Sequence, residues 1–128
     1  MNDLAGLKAL VVEDEGSIAL MIEDMLADLG CAVVGTAGNL NYARGLAGTL
    51  VVDLAILDVN LAGEYVFPVA RLLGERRIPF VFSTGYGARA LPAEFSGYPV
   101  LAKPFSLEDL RRAIVQALTS AKCGRFTT

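Results

Sequence analysis

The sequence predicts an α/β protein built on a single doubly wound, five-stranded parallel sheet. Apolar runs and amphipathic stretches alternate from one end of the 128-residue chain to the other, which is the pattern of strands joined by right-handed helical crossovers. The apolar runs are nearly continuous, as they are in strands buried on both faces. The length is that of one ordinary domain, and no repeat, low-complexity stretch or linker divides it. One core and one site are therefore expected over residues 1–128.

The elements follow in order. LKALVV (Leu7–Val12) reads as the first strand. Ile18, Met21, Ile22, Met25, Leu26 and Leu29 then recur at helical spacing until Gly30 stops the helix. CAVVGTA (Cys31–Ala37) is a second strand, followed by a weaker helix around Leu40–Leu46. LAILD (Leu54–Asp58) is the third, and the helix after it carries Val66, Val69, Ala70, Leu72 and Leu73, with Pro68 in its first turn. PFVFS from Pro79 is the fourth strand and VLAK (Val100–Lys103) the fifth. Between them ARALPAEFSGYP (Ala88–Pro99) holds two prolines and a glycine, so a fourth helix should be short or absent. The last helix has the clearest start: Ser106 as N-cap, Asp109 completing a variant capping box, and Phe105 against Leu110 as a hydrophobic staple. It runs on through Ile114, Val115 and Leu118.

Composition narrows the function. Hydrophobic residues reach 54%, yet Lys8, Glu13, Asp14, Glu23, Asp24 and Asp53 break every run before the ~18 residues that a membrane span needs. Asp3 and Lys8 at the N-terminus do not fit a secretory signal, so a cytoplasmic location is expected. Cys31 and Cys123 stand apart, without a CxxC pair or any histidine, and read as structural thiols, not as a disulfide framework or zinc site. A net charge of −3 with scattered arginines offers no basic stripe for direct nucleic-acid binding.

In a doubly wound sheet, ligands bind beyond the carboxyl ends of the strands. The first strand ends in Glu13, Asp14 and Glu15; the third in Asp58, followed by Asn60; the fourth in Ser83 and Thr84; the fifth in Lys103, followed by Pro104. If Glu13, Asp14 and Asp58 converge, each close pair of carboxylates repels by about 4 kcal/mol at ~4 Å and an effective dielectric near 20. A cation must then join them. An all-oxygen ligand set suits a hard divalent ion such as Mg²⁺ that keeps several waters. With Lys103 and the Thr84 hydroxyl at the same mouth, the constellation forms a receptacle for a phosphoryl group, and Asp58 is the candidate nucleophile. Taken singly, the acids read as the solvated start of a helix, the lysine as a surface charge and Thr84 as a turn residue. Four such features at four strand ends of one sheet are harder to ascribe to chance.

These segments resemble the receiver domain of two-component response regulators. LVVEDE (Leu10–Glu15) is similar to the family's acidic pair, LDVNLAG (Leu57–Gly63) to its phosphoacceptor segment, Thr84 to its switch hydroxyl, and LAKPF (Leu101–Phe105) to its lysine segment. The resemblance covers about residues 6–121 and implies a flavodoxin-like fold with strand order 2-1-3-4-5 and no output domain. It implies that Asp58 accepts a phosphoryl group from a histidine kinase or histidine phosphotransfer protein. Asp14, Asp58 and the backbone carbonyl of Asn60 would bind Mg²⁺, with Glu13 acting through water. Lys103 and Thr84 would contact the phosphoryl oxygens. PFVFSTGYG (Pro79–Gly87) further resembles the PFxFATGY signature of a mostly stand-alone receiver subgroup nicknamed FATGUY, with Ser83 in place of alanine.

Two positions depart from the family. Val100 stands where common receivers carry a switch aromatic, so Tyr86 or Tyr98 is expected to substitute. Ala62 replaces a customary proline, which should loosen the loop after Asp58. Phosphorylation is then expected to order the Ala88–Pro99 segment and to signal through binding of a downstream protein or onward relay, with Arg111 and Arg112 as candidate docking residues. A phosphatase of the haloacid dehalogenase type would instead place D-x-D on the first strand, and a pseudo-receiver would not need the complete Glu13/Asp14/Asp58/Thr84/Lys103 set. No GxGxxG follows the first strand, which argues against a dinucleotide site.

Overall fold

The computed structural model describes residues 4–85 and 91–122. Strands β1 (Lys8–Val12), β2 (Ala32–Ala37), β3 (Leu54–Asp58), β6 (Phe80–Thr84) and β7 (Val100–Ala102) form one sheet in the order β2-β1-β3-β6-β7, each neighbouring pair parallel. This is the expected 2-1-3-4-5 order, with two very short strands, β4 (Asn60–Leu61) and β5 (Glu64–Tyr65), set apart as a separate pair. Among the described residues four α-helices accompany the sheet: α1 (Gly16–Asp28), α2 (Leu40–Thr49), α3 (Phe67–Glu75) and α4 (Leu107–Lys122).

Strand alternation divides the core into two layers. Leu10, Val12, Ala55, Leu57, Phe80 and Phe82 face α2 and α3. Ala9, Val11, Leu54, Ile56, Val81 and Leu101 face α1 and α4. β3 and β6 are buried along their whole length, which accounts for their unbroken apolar sequences. Each fully buried Leu, Ile or Phe contributes about 1.5–3 kcal/mol, so the two central strands anchor the sheet.

The helix ends obey their local chemistry. Gly30, at φ +90°, closes α1: its N–H donates to Ala27 O at 3.0 Å and the Cys31 N–H to Leu26 O at 2.9 Å, the paired bonds of a Schellman motif. Cys31 is buried, its thiol 3.6 Å from Leu4 O; Cys123 lies outside the described residues. Asn39 caps α2 by accepting the Tyr42 N–H at 2.8 Å. The Arg76 guanidinium binds the Ala47 and Leu50 carbonyls at the other end of α2, at 2.8 and 2.9 Å. Pro68 sits in the first turn of α3. At α4 the Asp109 N–H donates to Ser106 Oγ and the Ser106 N–H to Asp109 Oδ2, both at 3.0 Å. Phe105 and Leu110 are buried in the same layer.

Two regions add to the sequence reading. Between β6 and β7 the described part of the connection is a single 3-10 turn, Ala93–Phe95, in keeping with a short fourth helix; Tyr86 and Gly87 lie outside the described residues. The loop after Asp58, expected to be loose, is instead closed as a β4–β5 hairpin. Ala62 (φ +52°) and Gly63 (φ +94°) are both left-handed, the sign pattern of a type I′ turn. Asn60 Oδ1 accepts the Gly63 N–H at 2.7 Å and Val59 O accepts the Val66 N–H at 2.9 Å. The hairpin escaped the sequence reading because alanine is a poor residue for this turn: a non-glycine residue in the left-handed region costs roughly 1–2 kcal/mol.

Asparagine tolerates that region and favours this turn. Ala62→Asn is therefore expected to stabilise the protein by about 1 kcal/mol, raising the thermal midpoint in circular dichroism by about 4 °C, whereas the β-branched Ala62→Val lowers it.

Candidate functional site

The site is built where four parallel strands stop. Val11, Ile56 and Leu101 face the α1/α4 layer, so the residues two positions further along each strand, Glu13, Asp58 and Lys103, emerge on that same side. β1 pairs with β3, β3 with β6 and β6 with β7, and this order aligns the two acids with the lysine. Lys103 Nζ lies 3.0 Å from Glu13 Oε1 and 3.2 Å from Asp58 Oδ2. Carboxylate oxygens of Glu13, Asp14 and Asp58 lie within 4.8 Å of one another. Glu13 and Asp58 are buried, while Asp14 is exposed at the rim.

Asn60 faces this cluster through its backbone. It stands opposite Tyr65 in the hairpin, and the Val59–Val66 bond on one side and the two-residue turn on the other make this the non-hydrogen-bonded pair of the ladder. Its N–H and C=O therefore turn outward, and the N–H reaches Asp58 Oδ1 at 3.4 Å. The Asn60 side chain is committed to the turn, which leaves its backbone groups to face the cluster. Thr84 is buried at the last position of β6, and its carbonyl accepts the Lys103 N–H at 3.0 Å.

Electrostatics leave the cluster short of positive charge, with three carboxylates against one ammonium. Burial, and next the Glu13 charge, push the Asp58 carboxyl up to about 7 against the opposing pull of Lys103. Burial draws the Lys103 ammonium down, but the hydrogen bond to Glu13 and the Asp58 charge outweigh it and the net direction is upward. A hard divalent cation fits this donor set: it would be met by oxygen only, and its two charges would offset the surplus of two carboxylates.

The comparisons with known proteins agree with this geometry. The family profile described as "Response regulator receiver domain" matches residues 9–115. The chain belongs to that family. The transcriptional regulatory protein PdtaR of Mycobacterium tuberculosis strain H37Rv is 33% identical to this receiver over 116 residues, 88% of this chain and 57% of PdtaR; the chain thus spans little more than half the length of that relative. The solution structure of SdrG from Sphingomonas melonis Fr1 is 41% identical, with a TM-score of 0.80 over 88% of this chain and 97% of that one. A BeF3-activated conformation of SdrG from Pseudomonas melonis Fr1, also 41% identical, gives 0.75 over 89% of this chain and 98% of that one. Receivers bind Mg²⁺ at an acidic pocket, which in this chain is the Glu13, Asp14 and Asp58 cluster.

Of the tyrosines expected to stand in for the aromatic at Val100, Tyr98 belongs to a ring cluster beside the receiver's site. It stacks on Phe80 at 4.6 Å and meets Phe95 edge-on at 5.7 Å. Phe95 stacks on Phe67 at 5.6 Å, and Phe67 on Tyr65 at 5.4 Å. The rings therefore run from Tyr65, opposite Asn60, to Tyr98, two residues before Val100. Arg71 adds a bidentate pair to Glu94, at 3.0 and 2.9 Å, with its guanidinium 5.9 Å from the Phe95 ring centre. The cluster has no sequence signature because its members lie in three separate segments.

Another buried polar group sits in β6. Ser83 is fully buried and its hydroxyl has no hydrogen-bond partner, an arrangement that costs roughly 1–3 kcal/mol.

Metal affinity is expected to track the ionisation of Asp58. Below about 7 the folded carboxyl holds a proton, and Mg²⁺ must displace it, so affinity rises with pH and levels off above about 7. The sign for stability is opposite. Because the pKa is raised, folding without metal loses stability as pH climbs from the ordinary carboxylate range toward 7. Isothermal titration with Mg²⁺ and chelator-treated melts across this window check both, and Asp58→Asn should flatten both profiles.

Proposed function

We propose that this receiver accepts a phosphoryl group on Asp58 from a histidine kinase or histidine phosphotransfer protein in a Mg²⁺-dependent reaction, and signals through a phosphorylation-dependent protein contact or onward relay. The observation that carries the reading is the Asp58 carboxylate held 3.2 Å from Lys103 Nζ inside an acidic cluster. A carboxylate oxygen attacks the phosphorus of a phosphohistidine, the O–P bond forms as the N–P bond breaks, and the electron pair returns to the imidazole, which takes a proton. Asp14, Asp58 and the Asn60 carbonyl would hold Mg²⁺, with Glu13 acting through water. When bound, the ion neutralises charge on the transferring group. Lys103 pairs with the phosphoryl oxygens, and Thr84 at the end of β6 donates its hydroxyl to them. The BeF3-activated conformation of the similar SdrG supports the reading, since trifluoroberyllate on a carboxylate has the shape and charge of a phosphoryl group.

The output face lies around β7 and α4. An open cavity of about 450 Å³ lies between them, lined by Val100, Ala102, Pro104, Phe105, Arg112 and Gln116 among others. Arg112 lines it on α4, and Glu108 lies 3.7 and 3.8 Å from guanidinium nitrogens of Arg111 and Arg112. The 3-10 turn at Ala93–Phe95 and the Tyr98 ring flank this face and connect it to the hairpin beside Asp58.

Incubation with Mg²⁺ and acetyl phosphate followed by intact mass measurement should show one added phosphoryl group, absent in Asp58→Asn and in EDTA. No addition to the wild-type chain from either acetyl phosphate or a phosphorylated phosphotransfer protein would favour a pseudo-receiver. Amide hydrogen exchange across 91–99 is expected to slow on phosphorylation. Unchanged exchange would show that the signal takes another route.

A further inference from the structure

Ser83 occupies a position that the chemistry described so far leaves unused. It follows Val81, which faces the α1/α4 layer, so by alternation it shares a face with Asp58 and Lys103. It is in register with Asp58 on β3 and with Leu101 on β7. β6 lies between those two strands, which are therefore about 10 Å apart. The 3.2 Å contact from Lys103 Nζ to Asp58 Oδ2 can form only if the lysine arm crosses β6, and the strand it crosses carries Ser83 at the level of Asp58. The residue is fully buried, and its hydroxyl is the one buried side-chain oxygen or nitrogen among the described residues with no partner. A small side chain there leaves the arm its path. Alanine would do that equally well, without an unsatisfied group.

We propose that Ser83 is a positioning residue for the breakdown of the phosphorylated state, its hydroxyl being the donor to the Asp58 carbonyl oxygen once Lys103 has left it. This rests on the reading of Asp58 as phosphoacceptor. In the unphosphorylated protein Lys103 satisfies Glu13 Oε1 and Asp58 Oδ2 together, and Ser83 has nothing to bond. Attachment of a phosphoryl group moves negative charge outward onto its oxygens, and the lysine follows the charge. The remaining carbonyl oxygen of the mixed anhydride then faces the strand that carries Ser83. In hydrolysis, water oxygen bonds to phosphorus as the Asp58 O–P bond breaks. The electron pair stays on the carboxylate, and the water protons leave with phosphate and solvent. Negative charge grows on the carboxyl group during this step, so a hydroxyl donor there favours the transition state over the anhydride.

The test compares wild type, Ser83→Ala and Ser83→Val after phosphorylation by acetyl phosphate with Mg²⁺, reading intact mass over time, the infrared carbonyl stretch of the acyl phosphate, and thermal melts without phosphodonor. Ser83→Ala should be phosphorylated as fully as wild type, lose the group several-fold more slowly, show its carbonyl stretch at higher frequency, and melt no lower. Ser83→Val, which fills the path of the arm, should be phosphorylated more slowly. An alanine variant with the wild-type lifetime and carbonyl frequency would overturn the proposal while leaving the phosphoacceptor reading intact. An alanine variant that melts well below wild type would overturn it too, by showing that the hydroxyl is already bonded. Wild-type protein that takes no phosphoryl group would overturn the phosphoacceptor reading and this proposal with it.

Discussion

Two carboxylates that are almost wholly withdrawn from water, Glu13 and Asp58, have one ammonium group between them, and the arrangement of the sheet's upper end depends on keeping that triad together. Removing the ammonium from such a set leaves both buried acids without a counter-charge, a far larger penalty than losing a surface ion pair. The constraint explains why the central strands are so uniformly apolar. β3 and β6 are sealed on both faces, so the ends of these strands cannot drift without exposing the layers beneath. Register, set by hydrophobic packing lower in the sheet, is what holds the oxygen atoms of Asp58 within reach of Lys103.

The second layer of organisation is aromatic. Where common receivers rely on one ring in the last strand, six rings here make a connected patch from the hairpin behind Asn60 to the approach to β7. The contacts include both stacked and edge-on pairs, each worth about 0.5–1.5 kcal/mol beyond burial. Arg71, paired with Glu94 and set against Phe95, ties α3 into the patch. A set of mutually supporting rings tends to shift as a unit, which suits the proposed route from the Asp58 loop to the edge of the sheet.

Much of this was legible in the sequence, and the reasons differ by element. Capping at Ser106 and Asp109, the helix stop at Gly30 and the convergence of Glu13, Asp14, Asp58 and Lys103 follow from local patterns that a parallel sheet forces into one place, whereas the strand order was implied by the family resemblance. The β4–β5 hairpin was hidden because Ala62 is a residue that the turn tolerates at a cost. The ring cluster was hidden because Tyr65, Phe67, Phe80, Phe82, Phe95 and Tyr98 have no shared periodicity. Only tertiary packing brings them together. The unpaired state of the Ser83 hydroxyl was equally invisible, since the lack of a partner is a property of three-dimensional surroundings.

The acids and the cation are mounted on different parts of the sheet. Glu13 and Asp58 follow interior strands hydrogen-bonded on both sides, whereas Lys103 follows β7, a three-residue rim strand with a single neighbour. The negative half of the site is thus fixed to the foundation and the positive half to its margin. Whatever grips that margin also sets the distance between the halves. On the proposed reading of Asp58 as phosphoacceptor, reciprocity of linked equilibria means that a partner preferring the phosphorylated arrangement stabilises that arrangement by the same free energy, so a listener bound at the rim helps to hold the very signal it hears.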